Sequence, residues 1–178
     1  MSASDEVYCR LDKRNRIVGV GGAWDRFALA NDGGAVTAAR VLGTDFLSHV
    51  SGEATRSLLD RVLRGARRSS APVVLPFRCD SPECERHMEM TVQAEPASGI
   101  LLAYRVLRVV PLPVPLRFVG SGLPRGRMLF RCSTCNRLLR DGRWHEPSSV
   151  DVPATPIAVS YGVCHDCRDT VERLLPAA

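Results

Sequence analysis

The first half of the chain alternates between two hydrophobic periods, and this alternation predicts a mixed α+β domain. Short apolar runs at 7–11 and 17–20 flank the polar residues 13–15, a pattern typical of a β-hairpin. Residues 23–28 then carry aromatic and small apolar side chains on one helical face. The clearest helix is predicted at 53–67, where apolar residues recur at helical spacing and charged residues occupy the opposite side.

Three further strands are predicted after that helix. The run at 73–79 is interrupted by Pro76, which lacks an amide hydrogen and therefore favours an edge strand or a bulge. Residues 86–93 alternate apolar and polar side chains as a half-buried antiparallel strand does, and 100–110 is a long apolar run. Five antiparallel strands with helices across one face would bury a single core, so we predict an α+β fold.

A proline-rich segment divides the chain into two parts. Proline alternates with apolar residues at 111–115, and its fixed backbone angle and missing donor favour an extended connector. We therefore assign residues 6–110 to an N-terminal domain, 111–125 to a linker and 126–176 to a C-terminal module.

Two Cys-x-x-Cys pairs dominate the C-terminal module. They consist of Cys132 with Cys135 and of Cys164 with Cys167. Two intervening residues let both sulfurs of a pair face one tetrahedral ion, and two pairs fill all four positions. The sequence therefore predicts a closed, structural Zn²⁺ site with these four cysteines as ligands. Free thiols, a redox pair and an iron–sulfur cluster are the alternatives.

The residues around the cysteines predict a small zinc finger. Residues 138–145 form a predicted hairpin with Asp141 and Gly142 at its turn, and 169–175 has helical spacing. A knuckle, a hairpin and a helix that supplies the last ligands make a treble-clef-like module, with a zinc ribbon as the alternative. The 28 residues between Cys135 and Cys164 exceed the common spacing of about 15–20, and we assign the excess to a loop at 147–156.

The composition indicates a soluble protein of a reducing compartment. The 178 residues contain no apolar run of about 18 residues, and the first six residues are polar and acidic, unlike a signal peptide. We expect a cytoplasmic protein without a membrane partner, in which cysteines are metal ligands or free thiols.

A moderate positive charge leaves nucleic acid as an alternative partner. The net charge is +5 and the sequence pI is about 9.0, but arginines are interspersed with acids. A zinc-finger transcriptional regulator that binds DNA or RNA would use arginines near the cysteines for phosphate contacts. These arginines are Arg125, Arg127, Arg131, Arg137, Arg140 and Arg143.

Two parts of the sequence resemble known bacterial signalling modules. Residues 17–28, 41–46 and 75–82, in their order of strands and helices, resemble a PAS sensory domain that covers about residues 6–110. The resemblance implies a five-stranded antiparallel sheet with helices on one face. It also implies sensing of a small ligand or a partner, and a homodimer.

The cysteine module resembles a second, separate family. Residues 132–135, 141–144 and 161–167 resemble the short four-cysteine module that ends many bacterial PAS-containing and receiver-containing signalling proteins. His165 stands where that family has proline, so it is either a bystander or a spare ligand.

Other candidate sites have weaker patterns. Cys79, Cys84 and His87 surround a predicted turn and offer a soft ligand set for a second metal or a redox switch, whereas plain hairpin cysteines are the alternative. Cys9 is predicted to be a core thiol. The PAS resemblance implies that a haem ligand histidine would lie on the long helix, and haem is not supported because 53–67 contains no histidine and His49 precedes it. A flavin is not supported either, because the segment that would carry its cysteine has none.

The sequence analysis therefore favours a non-enzymatic regulatory protein. Neither a phosphate-binding loop nor a nucleophile elbow occurs. We expect a PAS-like domain that senses a small ligand or partner and a structural zinc module that relays the signal or docks. Loss of the metal is expected to unfold the tail while the N-terminal core survives.

Overall fold

Two β-sheets organise the chain. The computed structural model describes residues 7–31, 33–120, 128–150 and 156–176, and within these ranges each sheet has five strands. The first sheet belongs to the N-terminal half, and the second belongs to the C-terminal module.

The first sheet is antiparallel throughout, with strand order β2-β1-β5-β4-β3. Its strands are β1 Val7–Leu11, β2 Ile17–Gly22, β3 Val73–Arg78, β4 Cys84–Glu95 and β5 Gly99–Pro111. All five were predicted from the hydrophobic pattern, and β4 and β5 extend beyond their predicted ends. The five-stranded antiparallel sheet of the predicted α+β class is confirmed.

One face of this sheet forms the main core. Cys9, Leu102, Val92 and Val73 lie opposite one another on four adjacent strands, and all four are buried. Because side chains alternate across a strand, every second residue of each strand continues this apolar face. The alternation read at 86–93 thus positions Met88, Met90 and Val92 inward.

The helices of the N-terminal half pack across that face, as predicted. They are α1 Trp24–Ala30, α2 Ala38–Val41 and α3 Glu53–Arg68, with short 3-10 turns at Gly34–Val36 and Phe46–His49. Helix α3 buries Leu58, Val62, Leu63 and Ala66 against the sheet. Among the described residues, no helix is both long enough and apolar enough to cross a bilayer.

Both edges of the first sheet are partly covered. Strand β3 is an edge strand, as Pro76 predicted. Arg78 donates its amide outward to the carbonyl of Thr134 at 2.7 Å, and Pro76, two residues earlier, has no amide hydrogen to offer on that side. At the other edge, the Ile17 amide donates to the carbonyl of Thr44 at 2.9 Å.

The second sheet combines parallel and antiparallel pairing, in the order β6-β10-β7-β8-β9. Its strands are β6 Phe118–Gly120, β7 Leu129–Cys132, β8 Leu138–Arg140, β9 Arg143–His145 and β10 Ile157–Gly162. Strand β10 runs parallel to both β6 and β7, and helix α4 His165–Leu174 follows it. Leu138, Val150, Ile157 and Val159 form the core of this sheet.

Strand β6 lies within the range 111–125 that we assigned to the linker. Its partner β10 is about 40 residues away in sequence, so a three-residue run gives no local signal of pairing. Residues 121–125 of that range, and the module's first residues 126 and 127, lie outside the described residues.

Candidate metal centre and ligand cavities

The four predicted cysteines come together at one end of the second sheet. Cys132 ends β7, Cys135 lies in the following turn, Cys164 caps the N-terminus of α4 and Cys167 lies in its first turn. Their sulfur atoms all lie within 4.8 Å of one another, and none is in a disulfide.

The sulfur geometry fits a tetrahedral ion. Four Zn–S bonds of about 2.3 Å place neighbouring sulfurs about 3.8 Å apart. The Cys135 Sγ to Cys164 Sγ distance is 3.8 Å, whereas a disulfide would need about 2 Å. A set of four soft sulfur donors in a closed cluster is compatible with a zinc site.

Backbone hydrogen bonds hold the first cysteine pair in its turn. The Cys132 amide donates to the carbonyl of Arg137 at 2.9 Å, and the Asn136 amide donates to the carbonyl of Cys132 at 2.9 Å. Asn136 has a φ of 62°, a left-handed conformation that asparagine tolerates better than most residues. This tight turn directs both sulfurs of the pair to the same side.

The second cysteine pair lies at the N-terminus of α4, where the helix can stabilise negative charge on the sulfurs. The Cys164 amide donates to the Cys132 Sγ at 3.4 Å, and the N-terminus of a helix carries partial positive charge. Hydrogen bonds from the thiols of Cys135 and Cys167 lower the pKa of Cys132, while the bond to Cys132 raises the pKa of Cys135 to about 12.

The order of elements in the module is the one predicted for a treble-clef-like arrangement. One cysteine pair lies in the knuckle between β7 and β8, and the other lies on a helix instead of a second knuckle. The predicted hairpin is present, with Asp141 at φ 49° and Gly142 at φ 75° in its turn. His165 is a bystander among the described residues, since its side chain is 83% exposed and pairs with Asp169 at 3.0 Å.

The loop predicted at 147–156 is partly structured. Pro147–Ser149 forms a 3-10 turn, and Val150 is buried in the core of the second sheet. Residues 151–155 lie outside the described residues. The extra length between the cysteine pairs therefore contributes to the module's core and does not simply extend from it.

A buried ionic network joins the module to the edge of the first sheet. The Arg78 guanidinium is 8% exposed and contacts Asp80 at 2.6 Å, Glu85 at 3.1 Å and Glu146 of the module at 2.6 Å. Asn136 donates its side-chain amide to the carbonyl of Arg78 at 3.3 Å. Two of these four contacts, those with Glu146 and Asn136, join β3 to the C-terminal module.

Glu146 is held in its ionised form by this network. Burial raises its pKa, but hydrogen bonds from Arg137 at 2.8 Å and Arg78 at 2.6 Å outweigh that effect. The pKa of Glu146 therefore lies below the ordinary glutamate value.

Helix α4 also contributes to the core of the N-terminal half. Val171 is 4% exposed and belongs to the same apolar cluster as residues of α3 and the first sheet. Thr55 of α3 donates its hydroxyl to Ser133 Oγ of the knuckle at 2.8 Å, and Arg61 pairs with Glu172 at 3.0 Å. The two parts of the chain therefore share apolar, polar and ionic contacts.

Two apolar cavities lie against the inner face of the first sheet. The first, which we call the α1 cavity, has a volume of about 240 Å³ and is lined by Trp24, Phe27 and Met88 among others. The second, the knuckle cavity, has a volume of about 180 Å³ and lies between α3, β3 and the module. Phe77 and Tyr104 line both cavities and pack edge to face, with ring centroids 6.2 Å apart.

The structure does not bring Cys79, Cys84 and His87 into a metal site. Within the described residues, the four-cysteine cluster is the one group of three or more potential ligands close enough to hold an ion. The Arg86 guanidinium instead contacts Cys84 Sγ at 3.6 Å and the carbonyl of Cys79 at 2.8 Å. Cys9 is buried as predicted, and burial raises its pKa to about 12.

The arginines considered for phosphate binding do not form one exposed surface. Arg131 is only 9% exposed, and its guanidinium lies 4.1 Å from the centre of the Phe118 ring. Arg137 is paired with Glu146. Arg125 and Arg127 lie outside the described residues. Arg140 pairs with Asp141 at 3.7 Å. Three of the four described arginines thus make contacts within the protein, which weakens the case for a nucleic-acid interface.

Sequence reasoning did not identify the contacts of Thr55, Ser133 and Arg78, and it placed Val171 on a helical face without identifying its partner. Each makes its contact with a residue far away in sequence, and no local pattern marks such a partner.

Two of the solved structures that are similar to this chain come from one protein. Both are of the RpfR quorum-sensing receptor PAS domain from Cronobacter turicensis, one in complex with BDSF and the other with C12:0. Each match covers 61% of this chain and 99% of the solved chain at 13% sequence identity, with TM-scores of 0.45 and 0.46. No family model matches the chain, and no curated protein matches it. The PAS-like description of the fold therefore depends on the chain's own sheet and helix arrangement.

Proposed function

We propose that this chain is a sensory or regulatory protein whose PAS-like N-terminal domain binds a small molecule. In this proposal Cys132, Cys135, Cys164 and Cys167 bind a structural Zn²⁺ that fixes the C-terminal module against that domain. The observation that carries it is the closed four-sulfur cluster on elements that pack directly against the first sheet.

The metal has a structural role in this proposal. Four cysteine ligands leave no open position for a catalytic water, so the ion joins segments distant in sequence. Because the ligands are assembled only in the folded chain, the free energy of zinc binding contributes to folding. Neutralising the thiolates also removes the repulsion that four clustered anions would create.

The cavities support the sensory part of the proposal. An apolar protein cavity of about 150 Å³ can hold a molecule as large as benzene, so both cavities have room for a small ligand. The module contacts the walls of one of them and can transmit a change to a partner protein or to a second copy of the chain. The contact of Val171 with the main core also modifies our expectation for metal loss, which should weaken the N-terminal half as well.

Metal analysis of the purified chain tests the zinc assignment. We expect one zinc per chain in the native protein and its loss in both Cys132→Ser and Cys164→Ser. The matched control is Cys84→Ser, because Cys84 is a half-buried free thiol outside the cluster, and this variant should retain the metal. Equal metal content in all four proteins would overturn the assignment.

An absorption spectrum of the same samples identifies the metal. Zinc gives no visible absorption because its d shell is full. Visible bands that disappear in Cys132→Ser together with bound iron would replace zinc by an iron–sulfur cluster.

A further inference from the structure

The knuckle cavity has walls from both parts of the chain. Leu59 and Val62 of α3 and Phe77 of β3 form its N-terminal side, while Ser133 and Val171 belong to the module. The module therefore forms part of the wall of this cavity, and undocking the module would remove that part of the wall.

A pair of hydroxyl groups provides the polar feature of this cavity. Thr55 and Ser133 both line it, and their oxygens are 2.8 Å apart. One hydroxyl donates to the other, and the second hydroxyl keeps its own proton. Because Thr55 donates to Ser133, the Ser133 hydroxyl retains its proton as a donor for an acceptor atom on a ligand.

We propose that the knuckle cavity binds a small, largely apolar molecule with one hydrogen-bond acceptor, and that this ligand and Zn²⁺ strengthen each other's binding. The linkage rests on the zinc site of the proposed function, whereas the location and class of the ligand rest on the cavity alone. The molecule is about the size of a substituted benzene, because the volume is about 180 Å³.

A ligand in the larger α1 cavity would not be linked to zinc binding. Its lining residues all belong to the first sheet and the N-terminal segments, and none belongs to the described part of the module. A ligand there would make the same contacts whether or not the module is docked. Since a ligand shifts an equilibrium only through different affinities for the two states, occupancy of the α1 cavity would leave zinc affinity unchanged.

The size of the linkage follows from the module's contribution to the cavity wall. If only the docked, zinc-bound form binds the ligand, a ligand at ten times its Kd raises the apparent zinc affinity about elevenfold. Reciprocity requires that removal of zinc weaken ligand binding by the corresponding factor.

The test uses acetophenone, which has a ring and a carbonyl acceptor, and ethylbenzene, which lacks the acceptor. Methyl NMR of the zinc-loaded chain should show that acetophenone shifts Leu59 and Val171 while Val36, in the α1 cavity, is unaffected. Competition with a chelator should show that acetophenone increases zinc affinity and that ethylbenzene has a smaller effect.

Two variants separate the contributions of shape and hydrogen bonding. Thr55→Val combined with Ser133→Ala removes both hydroxyls with little change of shape, because either hydroxyl left alone could still donate to the ligand. This double variant should abolish the advantage of acetophenone over ethylbenzene. Leu59→Phe fills the knuckle cavity and should abolish both the methyl shifts and the increase in zinc affinity caused by acetophenone. Val36→Phe fills the α1 cavity and should leave the shifts at Val171 and the increase in zinc affinity intact.

The outcomes distinguish this inference from the proposed function. A chain that holds zinc in its four cysteines but shows no acetophenone-dependent change in zinc affinity overturns the inference and leaves the zinc site in place. Absence of shifts at Leu59 and Val171, or equal effects of the two probes in the native chain, also overturns it. A chain without zinc refutes the metal site and the linkage, and the NMR shifts then still decide the ligand site.

Discussion

The ionic network at Arg78 provides the sharpest test of how the two parts of the chain are joined. Replacing Arg78 by Met keeps an apolar stem but removes the charge opposite Asp80, which is only 6% exposed. Breaking a buried ion pair costs about 3–5 kcal/mol. Asp80 retains the Arg86 amide at 3.0 Å and Arg131 at 3.9 Å, so we expect the lower end, about 3 kcal/mol.

Tryptophan fluorescence provides the assay. The chain has two tryptophans, Trp24 in α1 and Trp144 in β9, one in each part. In a Trp24→Phe background, Trp144 reports urea unfolding of the module. With a slope of about 2 kcal/mol per molar urea, Arg78→Met should lower the midpoint by about 1.5 M.

A second arginine in the same sheet provides the control. Arg105 pairs with Glu89 at 2.7 Å, but its side chain is 63% exposed, so Arg105→Met should cost less than about 1 kcal/mol. If Arg78→Met costs no more than Arg105→Met, the network does not hold the module to β3 and the reasoning is refuted.

Two other substitutions test separate features. Since the pKa of Glu146 is lowered, its contribution to stability is present above the ordinary value of about 4.3 and is lost as the pH falls through the lower folded value. Glu146→Gln should therefore flatten the loss of stability between about pH 5 and 3 in urea titrations, and an unchanged slope would contradict this. Gly52→Ala should cost about 2 kcal/mol, because φ is 86° and the new Cβ would lie 2.9 Å from the Tyr161 carbonyl oxygen. Gly142→Ala, with φ 75° and open space, should cost less by the same assay, and equal losses would contradict a steric role for Gly52.

Local patterns in the sequence were sufficient for most elements of the first sheet. The turn at 13–15 contains Asn15 at φ 61°, a conformation that asparagine tolerates, and Pro76 correctly indicated an edge strand. The spacing within each cysteine pair predicted a shared site because the constraint acts over four residues. These features depend on neighbours in sequence, so the sequence displays them directly.

Long-range contacts were not predictable in the same way. Helical spacing showed that Val171 would be buried, but it did not show that the core of the first sheet would bury it. Arg131 was considered for phosphate contacts, yet it stacks on Phe118 inside the protein. The partner strands of β10 were also hidden, because parallel pairing joins segments separated by many residues.

Because the C-terminal module covers the β3 edge, it also limits the surfaces through which copies of the N-terminal half could associate. A shortened chain that stopped at residue 117 would present the outward amide of Arg78 without Thr134 and an α3 surface without Val171. An uncovered strand edge beside a bare apolar surface is a template for strand addition by other chains. We therefore expect a chain shortened in this way to associate through β3 more readily than the full chain does.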